Sequence, residues 1–286
     1  MTRNTLISLS VPWIAVSTLS PPLRAAPGEF DRALNEFDEG QQLRTTHPDR
    51  ARQLFRSAAE HFEALVGGGL ANGYLEYNLG NCYLQAGDVG RAILHYRRAQ
   101  RFIPRDAQLA DNLGVARSRC LVNIPRSRGG TLLRGVFFWH FETSAAGRAK
   151  TAIVAYVLFW LLLAARTVIP RRPLYVAAGI VGAIAAACGG SFAAERWLDR
   201  NSPEAVVVST DVAVYKGPAS TYQRQFEQPV QPGVEVTVRE QRSGWINIEL
   251  VDGKRGWVES EAIELIPQPE SSDASAILPM QAVQSG

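Results

Sequence analysis

The sequence predicts a chain of three parts: an all-α helical-repeat solenoid, a transmembrane α-hairpin and a small all-β barrel at the C-terminus. Three observations predict it. A motif recurs at a fixed period in the first half, two long apolar segments follow, and apolar residues then alternate with polar ones. With 286 residues, 46% of them hydrophobic, the chain is long enough for two or three modest domains.

The repeated motif is Asn78-Leu79-Gly80, which recurs 34 residues later as Asn112-Leu113-Gly114. That spacing is the period of the tetratricopeptide repeat, and the run YNLGNCYLQAGDVGRAILHYRRAQRFIPRD resembles that family. The residues at the family's expected positions are Leu79, Gly80, Tyr83, Ala92, Tyr96, Ala99 and Pro104. Because one helix pair cannot bury its apolar face alone, residues 28–121 are predicted to form about two and a half repeats.

The resemblance to tetratricopeptide repeats also implies a concave peptide groove. Its candidate residues are Tyr77, Asn78, Asn81, Asp111 and Asn112. In family members that grip a peptide's terminal carboxylate, lysine or arginine joins asparagines at these places. Asn81 and Asn112 match that scheme, but Tyr77 stands where the first lysine would be. The alternative is structural, with asparagines that hydrogen-bond the neighbouring helix backbone.

Two apolar segments, residues 149–169 and 174–194, are predicted to be transmembrane helices. A hairpin returns the chain to its starting side, so the parts before and after it share one compartment. Arg166, Arg171 and Arg172 lie at the connecting loop, which favours a cytoplasmic loop. The prediction is therefore a multi-pass protein of the inner (cytoplasmic) membrane, in contact with the lipid bilayer, with both soluble domains extracytoplasmic or periplasmic.

The N-terminal residues 1–26 have a basic start, an apolar stretch and a step of small residues, which is typical of a secretory signal peptide. An uncleaved anchor or a disordered leader is the alternative. Residues 122–148 are predicted to be a linker in which Phe137–His140 lie at the membrane interface. Packing of these aromatic residues onto the repeat domain is the alternative. Residues 267–286 lack periodicity and are predicted to be a disordered tail.

Residues 203–266 show twofold alternation of apolar residues in short runs separated by turns, which predicts about five short strands. Closure into a small barrel would remove the exposed sheet edges. The series VYKGPAS, QPGVEVTV, GWINIEL and DGKRGWV resembles the bacterial SH3 domain. Tyr215, Trp245 and Trp257 are its candidate binding face, although at least one tryptophan in the core is the alternative. Some members of that family bind cell-wall peptides, and others bind proteins.

Features of catalysis are missing from the sequence. It contains no Walker-type phosphate loop, no His-Glu-x-x-His motif and no Gly-x-Ser-x-Gly motif. Cys82, Cys120 and Cys188 have neither metal-ligand nor redox spacing. The net charge is only +3, and the arginines are spread along the chain. We therefore expect that the protein is not an enzyme and that it has no cofactor, no metal site and no nucleic-acid partner.

The order of signal-like leader, repeats, Phe-Trp-His segment, two-span hairpin and terminal SH3-like barrel resembles the BatE-type proteins of bacterial aerotolerance operons. That resemblance implies action with MoxR-type ATPases and von Willebrand factor A-type membrane proteins, in an envelope complex linked to stress tolerance or protein maturation. The resulting hypothesis is a non-catalytic, membrane-anchored scaffold for other envelope or membrane proteins. The alternative is a cell-wall anchor whose SH3-like module binds peptidoglycan.

Overall fold

The computed structural model describes residues 28–70, 72–120, 143–168 and 172–266. Its helices are α1 Glu29–Leu43, α2 Pro48–Gly67, α3 Gly73–Ala86, α4 Val89–Phe102, α5 Ala107–Arg119, α6 Ala145–Val168 and α7 Arg172–Asn201. Its strands are β1 Glu204–Val207, β2 Glu235–Arg242, β3 Trp245–Glu249, β4 Arg255–Glu259 and β5 Ile263–Leu265. The predicted signal peptide, the interfacial segment Phe137–His140 and the predicted tail lie outside the described residues.

Helices α1 to α5 pack successively against one another and form an N-terminal helical unit. Three of them begin at a side chain that accepts a hydrogen bond from the first turn: Asn72, Asp88 and Asp106. Helix α3 ends at Gly87, whose φ of 88° is the left-handed conformation that glycine adopts without a steric penalty. The helical region is thus confirmed, whereas its assignment to tetratricopeptide repeats stays a prediction.

Two glycines let neighbouring helices of this unit approach closely. A methyl group on Gly40 of α1 would lie 2.8 Å from the Phe55 ring of α2. A methyl group on Gly80 of α3 would overlap the ring of Tyr96 of α4. Each first helix therefore offers a glycine to an aromatic ring of the second, and both rings are almost fully buried.

Helices α6 and α7 pack against each other and are long and apolar enough to cross a membrane. Only 6% of the apolar window of each helix is buried, so most of these side chains face outward. Gly182 of α7 lies against the Phe159 ring of α6. At the other end of the pair, Arg148 forms an ion pair with Glu195. Helix α7 continues to Asn201, beyond the apolar segment, and leads through two residues into β1.

The strands form one antiparallel sheet in the order β4-β3-β2-β1-β5. The predicted closed barrel is wrong, because β4 and β5 are the two edges of an open sheet. The run Val212–Tyr215 makes isolated bridges to Val230, Arg224 and Trp257 in place of a continuous strand. The bridge between Tyr215 and Trp257 covers part of the outer edge of β4, which removes part of the need for closure.

Strand β1 joins the sheet to the helical unit. Ala205 and Val207 point into the core of the sheet, whereas Val206 between them belongs to the core of the helical unit. All three side chains are fully buried. A strand that is buried on both faces is expected to be apolar, as the Ala205–Val207 part of β1 is.

Candidate functional site

The three aromatic residues predicted to form a binding face come together at the β3-β4 side of the sheet. The rings of Tyr215 and Trp245 meet edge to face, with centroids 5.5 Å apart. The backbones of Tyr215 and Trp257 exchange two hydrogen bonds, of 2.8 and 2.7 Å, because each amide donates to the other's carbonyl. We call Tyr215, Trp245 and Trp257, together with Arg242, the aromatic face.

A glycine makes this arrangement possible. A side chain on Gly256, the residue before Trp257, would overlap Val214 and lie 3.1 Å from the carbonyl oxygen of Tyr215. Glycine at position 256 therefore permits the segment that carries Tyr215 to approach β4. The DGKRGWV motif of the sequence thus contains a residue needed for close backbone approach.

The members of the aromatic face differ in exposure. Trp257 is only 7% exposed and serves mainly as core, as the alternative interpretation of the sequence holds for at least one tryptophan. Tyr215 and Trp245 are half-buried. The guanidinium of Arg242 lies 5.4 Å from the centroid of the Trp257 ring, and its Nε is 2.5 Å from Glu240. The accessible part therefore combines aromatic surface with a cation.

Such a combination suits ligands that carry both an apolar or ring-shaped surface and a negative group. Aromatic rings pack against sugar or side-chain faces, and arginine pairs with carboxylates. Residues 208–264 match the family model of the bacterial SH3 domain. No curated protein matches the chain, and no solved structure matches it. The match covers the aromatic face and begins one residue after β1 ends.

The bacterial SH3 module contacts the helical unit through β1 and the neighbouring strands β2 and β5, at the other end of the strand order from β3 and β4. Helix α4 packs on β1, four arginines of the helical unit face acidic residues, and the aromatic face lies at β3 and β4. These arginines are Arg97, Arg98, Arg101 and Arg117, and their acidic partners are Glu204, Glu235 and Glu264 of the module and Asp199 of α7. Within the part of the chain that the structure describes, this packing and these ion pairs do not involve the aromatic face.

No motif in the sequence directly indicates this contact surface. Arginines on a helix are usually solvated, and no motif links Arg97 to an acid more than a hundred positions away. One pattern was informative in retrospect: the uninterrupted Ala205-Val206-Val207 run indicates a strand covered on both faces. Arg242 was also missed, because its role depends on the register that places it beside Trp257.

The candidate groove residues of the helical unit lie in a different environment. Tyr77, Asn78 and Asn81 are at most 2% exposed, Asn112 is half-buried and Asp111 is exposed. Asn112 Nδ2 donates to the Tyr77 hydroxyl at 2.8 Å and to Asn81 Oδ1 at 3.0 Å. The hydroxyl of Tyr96 also donates to Asn81 Oδ1, at 2.8 Å. These bonds link α3, α4 and α5, so the geometry favours a structural role, and peptide binding here stays a prediction.

The remaining reactive side chains that the structure describes do not form a cluster. Among the described residues, no group of three or more His, Cys, Asp or Glu side chains is placed to hold a metal ion. Cys82 is buried in the helical core, and this burial raises the pKa of its thiol far above the ordinary value. A thiol with so high a pKa is unreactive at neutral pH, which agrees with a packing role.

Proposed function

We propose that this protein is a non-catalytic, membrane-anchored scaffold that captures a ligand with the aromatic face of its bacterial SH3 module. One observation carries the proposal: the aromatic face lies at β3 and β4, at one end of the strand order, whereas α4 packs on β1 near the other end. The module is thus held near one end of its sheet and can bind at the other. Bacterial SH3 domains serve as protein-binding or cell-wall-binding modules, which agrees with this geometry.

The proposed anchor is the α6-α7 pair, crossing the inner membrane twice with both soluble parts on the extracytoplasmic side. Apolar side chains facing outward support it, for example Ile153 at 63% and Val176 at 64% exposure. The connection between α7 and the sheet supports it too. Only Ser202 and Pro203 separate α7 from β1, so the module follows the proposed anchor directly. A reporter active only outside the cytoplasm should be active when fused after Ile266 and inactive when inserted between Ile169 and Arg171.

The helical unit supplies the second interaction surface in this proposal, as a tetratricopeptide-repeat domain. The recurrent glycine-aromatic contact, Gly40 with Phe55 and Gly80 with Tyr96, supports a repeated helix pair. Two modules fixed on one body raise each other's effective concentration for a shared partner. By the BatE resemblance, that partner belongs to an envelope complex with a MoxR-type ATPase and von Willebrand factor A-type proteins.

A second candidate function is anchoring to peptidoglycan. The aromatic face favours it, because tryptophan and tyrosine rings stack on sugar rings and Arg242 suits the carboxylates of cell-wall peptides. In this second candidate function, the ligand of the aromatic face is peptidoglycan, and only the helical unit binds a protein.

Purified full-length protein in detergent, incubated with purified peptidoglycan and sedimented, separates the two candidates. Three proteins are compared: the wild type, Trp245→Ala, and Trp197→Ala as a control that removes an exposed tryptophan of α7. Trp245 is the better probe than Trp257, because replacing the buried ring of Trp257 would damage the core. Co-sedimentation lost only in Trp245→Ala supports the wall anchor.

If the wild type does not sediment with peptidoglycan, the scaffold function is tested by chemical cross-linking in cells, followed by purification and mass spectrometry. Envelope proteins recovered with the wild type and Trp197→Ala, but lost with Trp245→Ala, support capture by the aromatic face. If Trp245→Ala retains every ligand of the wild type in both assays, the aromatic face is not the binding site and the proposal fails.

A further inference from the structure

A groove lies between the two helices of the α6-α7 pair. Residues of α6 line one side of it at helical spacing: Lys150, Thr151, Val154, Ala155 and Leu158. Val181 and Ile184 of α7 line the other side. The volume of the groove is about 380 Å³, which is within the usual range for a small-ligand site. We call it the hairpin groove.

The hairpin groove is polar at one end and apolar along the rest of its length. Lys150 and Thr151, near the start of α6, supply an ammonium group and a hydroxyl group, and the remaining lining residues are aliphatic. The distance along α6 from Lys150 to Leu158 is about 12 Å, at ~1.5 Å per residue. One leaflet contributes about 15 Å of the hydrocarbon layer of a membrane. The apolar part of the groove therefore fits within a single leaflet.

The charges near Lys150 leave its ammonium group available to an anion. Glu195 of α7 pairs with Arg148, and Asp199 of α7 pairs with Arg101 of α4. Among the residues that the structure describes, no acidic side chain forms an ion pair with Lys150. A basic residue at the polar end of a cleft between membrane helices suits an anionic lipid headgroup.

We propose that the hairpin groove binds one anionic phospholipid, from the leaflet on the side of the soluble domains. Its phosphate would lie at Lys150 and Thr151, which can both donate hydrogen bonds, and one acyl chain would lie along Val154 and Leu158. This proposal rests on the proposed membrane anchor, because only a membrane-embedded pair brings the groove to a leaflet.

The shape and charge of the groove favour a lipid over other occupants. Val154, Leu158 and Ile184 are exposed, so the groove opens outward, where the acyl chains of a membrane lie. A phospholipid presents an anion and an apolar chain in the same order as the groove presents its cation and its aliphatic residues. An apolar helix of a second protein would cover the aliphatic residues but would leave Lys150 without an anion.

Native mass spectrometry of the full-length protein in detergent tests the proposal. The probes are phosphatidylglycerol, which has a net negative charge, and phosphatidylcholine with the same acyl chains, which has none. The wild type should bind the first phosphatidylglycerol molecule about fivefold more tightly, as expected for one basic residue near a headgroup. Lys150→Gln should remove most of this preference. The control is Arg200→Gln, which removes an exposed positive charge of α7 outside the groove and should retain the preference.

A second pair of variants tests the position of the acyl chain. Val154→Trp places a large ring at the hairpin groove and should weaken the binding of both lipids several-fold. Val157→Trp is the matched control, because Val157 is an exposed valine of the same helix that does not line the groove. It should leave the affinity for both lipids unchanged.

Photo-cross-linking in cells identifies the occupant. A photo-reactive amino acid at Leu158 should form adducts with phospholipid, and the mass of each adduct identifies the headgroup. The same amino acid at Val157 reports the lipids that contact α6 outside the groove. Anionic lipids should be enriched at Leu158 relative to Val157. An adduct of Leu158 with a second copy of the chain or with another protein would show a different occupant and overturn the proposal.

Equal affinity of the wild type for the two lipids also overturns the proposal, and so does a preference that Arg200→Gln removes as fully as Lys150→Gln. Alkaline washing of membranes distinguishes this failure from failure of the membrane anchor. If the wild type stays in the washed membrane but does not prefer the anionic lipid, only the lipid site is refuted. If the wash releases the wild type, the membrane anchor is refuted and the lipid site with it.

Discussion

Arg97 of α4 and Glu235 of β2 form an ion pair across the boundary between the helical unit and the bacterial SH3 module, with Nε 3.0 Å from Oε2. Their side chains are only 17% and 19% exposed, so the pair is partly withdrawn from water. Glu235 also receives Arg117 at 2.7 Å. Two helices thus meet at one carboxylate, and removing its charge should affect the whole contact.

We predict that Glu235→Gln destabilises the protein by about 1–3 kcal/mol, between the values for exposed and for fully buried pairs. The amide keeps the size of the side chain but cannot balance two guanidinium groups. Asp49→Asn is the matched control, because Asp49 pairs with Arg52 on the exposed surface of α2. Thermal unfolding in detergent should show a clearly lower melting temperature for Glu235→Gln and almost no change for Asp49→Asn. Equal melting temperatures would mean that the contact contributes no stability.

Gly80→Ala should destabilise the helical unit by about 1–3 kcal/mol, because its methyl group would overlap the ring of Tyr96 in a packed core. Gly67→Ala in α2 is the control, since no described atom lies within 4 Å of the added group. That change should leave the stability within about 1 kcal/mol, or raise it through better helix propensity. The melting temperatures of the two variants measure the difference. A harmless Gly80→Ala would contradict the close approach of α3 and α4.

The hydrogen bonds around Asn81 make a further prediction. Tyr96→Phe removes one buried hydrogen bond to Asn81 and should cost about 1 kcal/mol. Asn81→Ala should cost more, about 2–3 kcal/mol, because it leaves both the Tyr96 hydroxyl and the Asn112 amide without this acceptor. Denaturant unfolding followed by circular dichroism gives both values. The reverse order would show that Asn81 is not the centre of these bonds.

The three aromatic residues of the aromatic face could be proposed from the sequence, because they sit in motifs whose alternation indicates strands, whereas Arg242 could not. Trp245 opens the GWINIEL run, and Trp257 follows the turn of DGKRGWV. In contrast, β1 was not predicted. Its residues do not alternate, because both faces of the strand are covered, one by the sheet core and one by α4.

The prediction of a closed barrel was wrong for a related reason. Closure was expected because exposed sheet edges are unfavourable, and this reasoning treated the module as isolated. In the structure, the Tyr215 backbone covers β4, and Arg98 donates to the carbonyl of Leu265 in β5 at 3.0 Å. Contacts between distant parts of the chain thus replace closure, and a local pattern of residues cannot reveal such contacts.

Glu249 of β3 predicts how the stability of the SH3 module depends on pH. Hydrogen bonds from Arg239 and Arg255 hold the pKa of Glu249 below its ordinary value. A carboxylate with a lowered pKa stabilises the fold above its unfolded pKa, and this contribution is lost as the pH falls through the lowered value. Wild type and Glu249→Gln should therefore differ in melting temperature at neutral pH and converge as the pH falls below the lowered pKa of Glu249. A difference independent of pH would point to packing.

The last prediction concerns where the bacterial SH3 module begins. The match to the family model starts at residue 208, whereas β1 covers Glu204–Val207 and pairs with both β2 and β5. A fragment of residues 208–264 lacks this strand, so β5 has no neighbour in the sheet, and we expect the fragment to be unfolded by circular dichroism. A fragment of residues 203–266 keeps β1 but exposes Val206, which α4 normally helps to bury. It should fold with a lower melting temperature than the same module in the full chain. Stable folding of the shorter fragment would show that the module does not need β1 in order to fold.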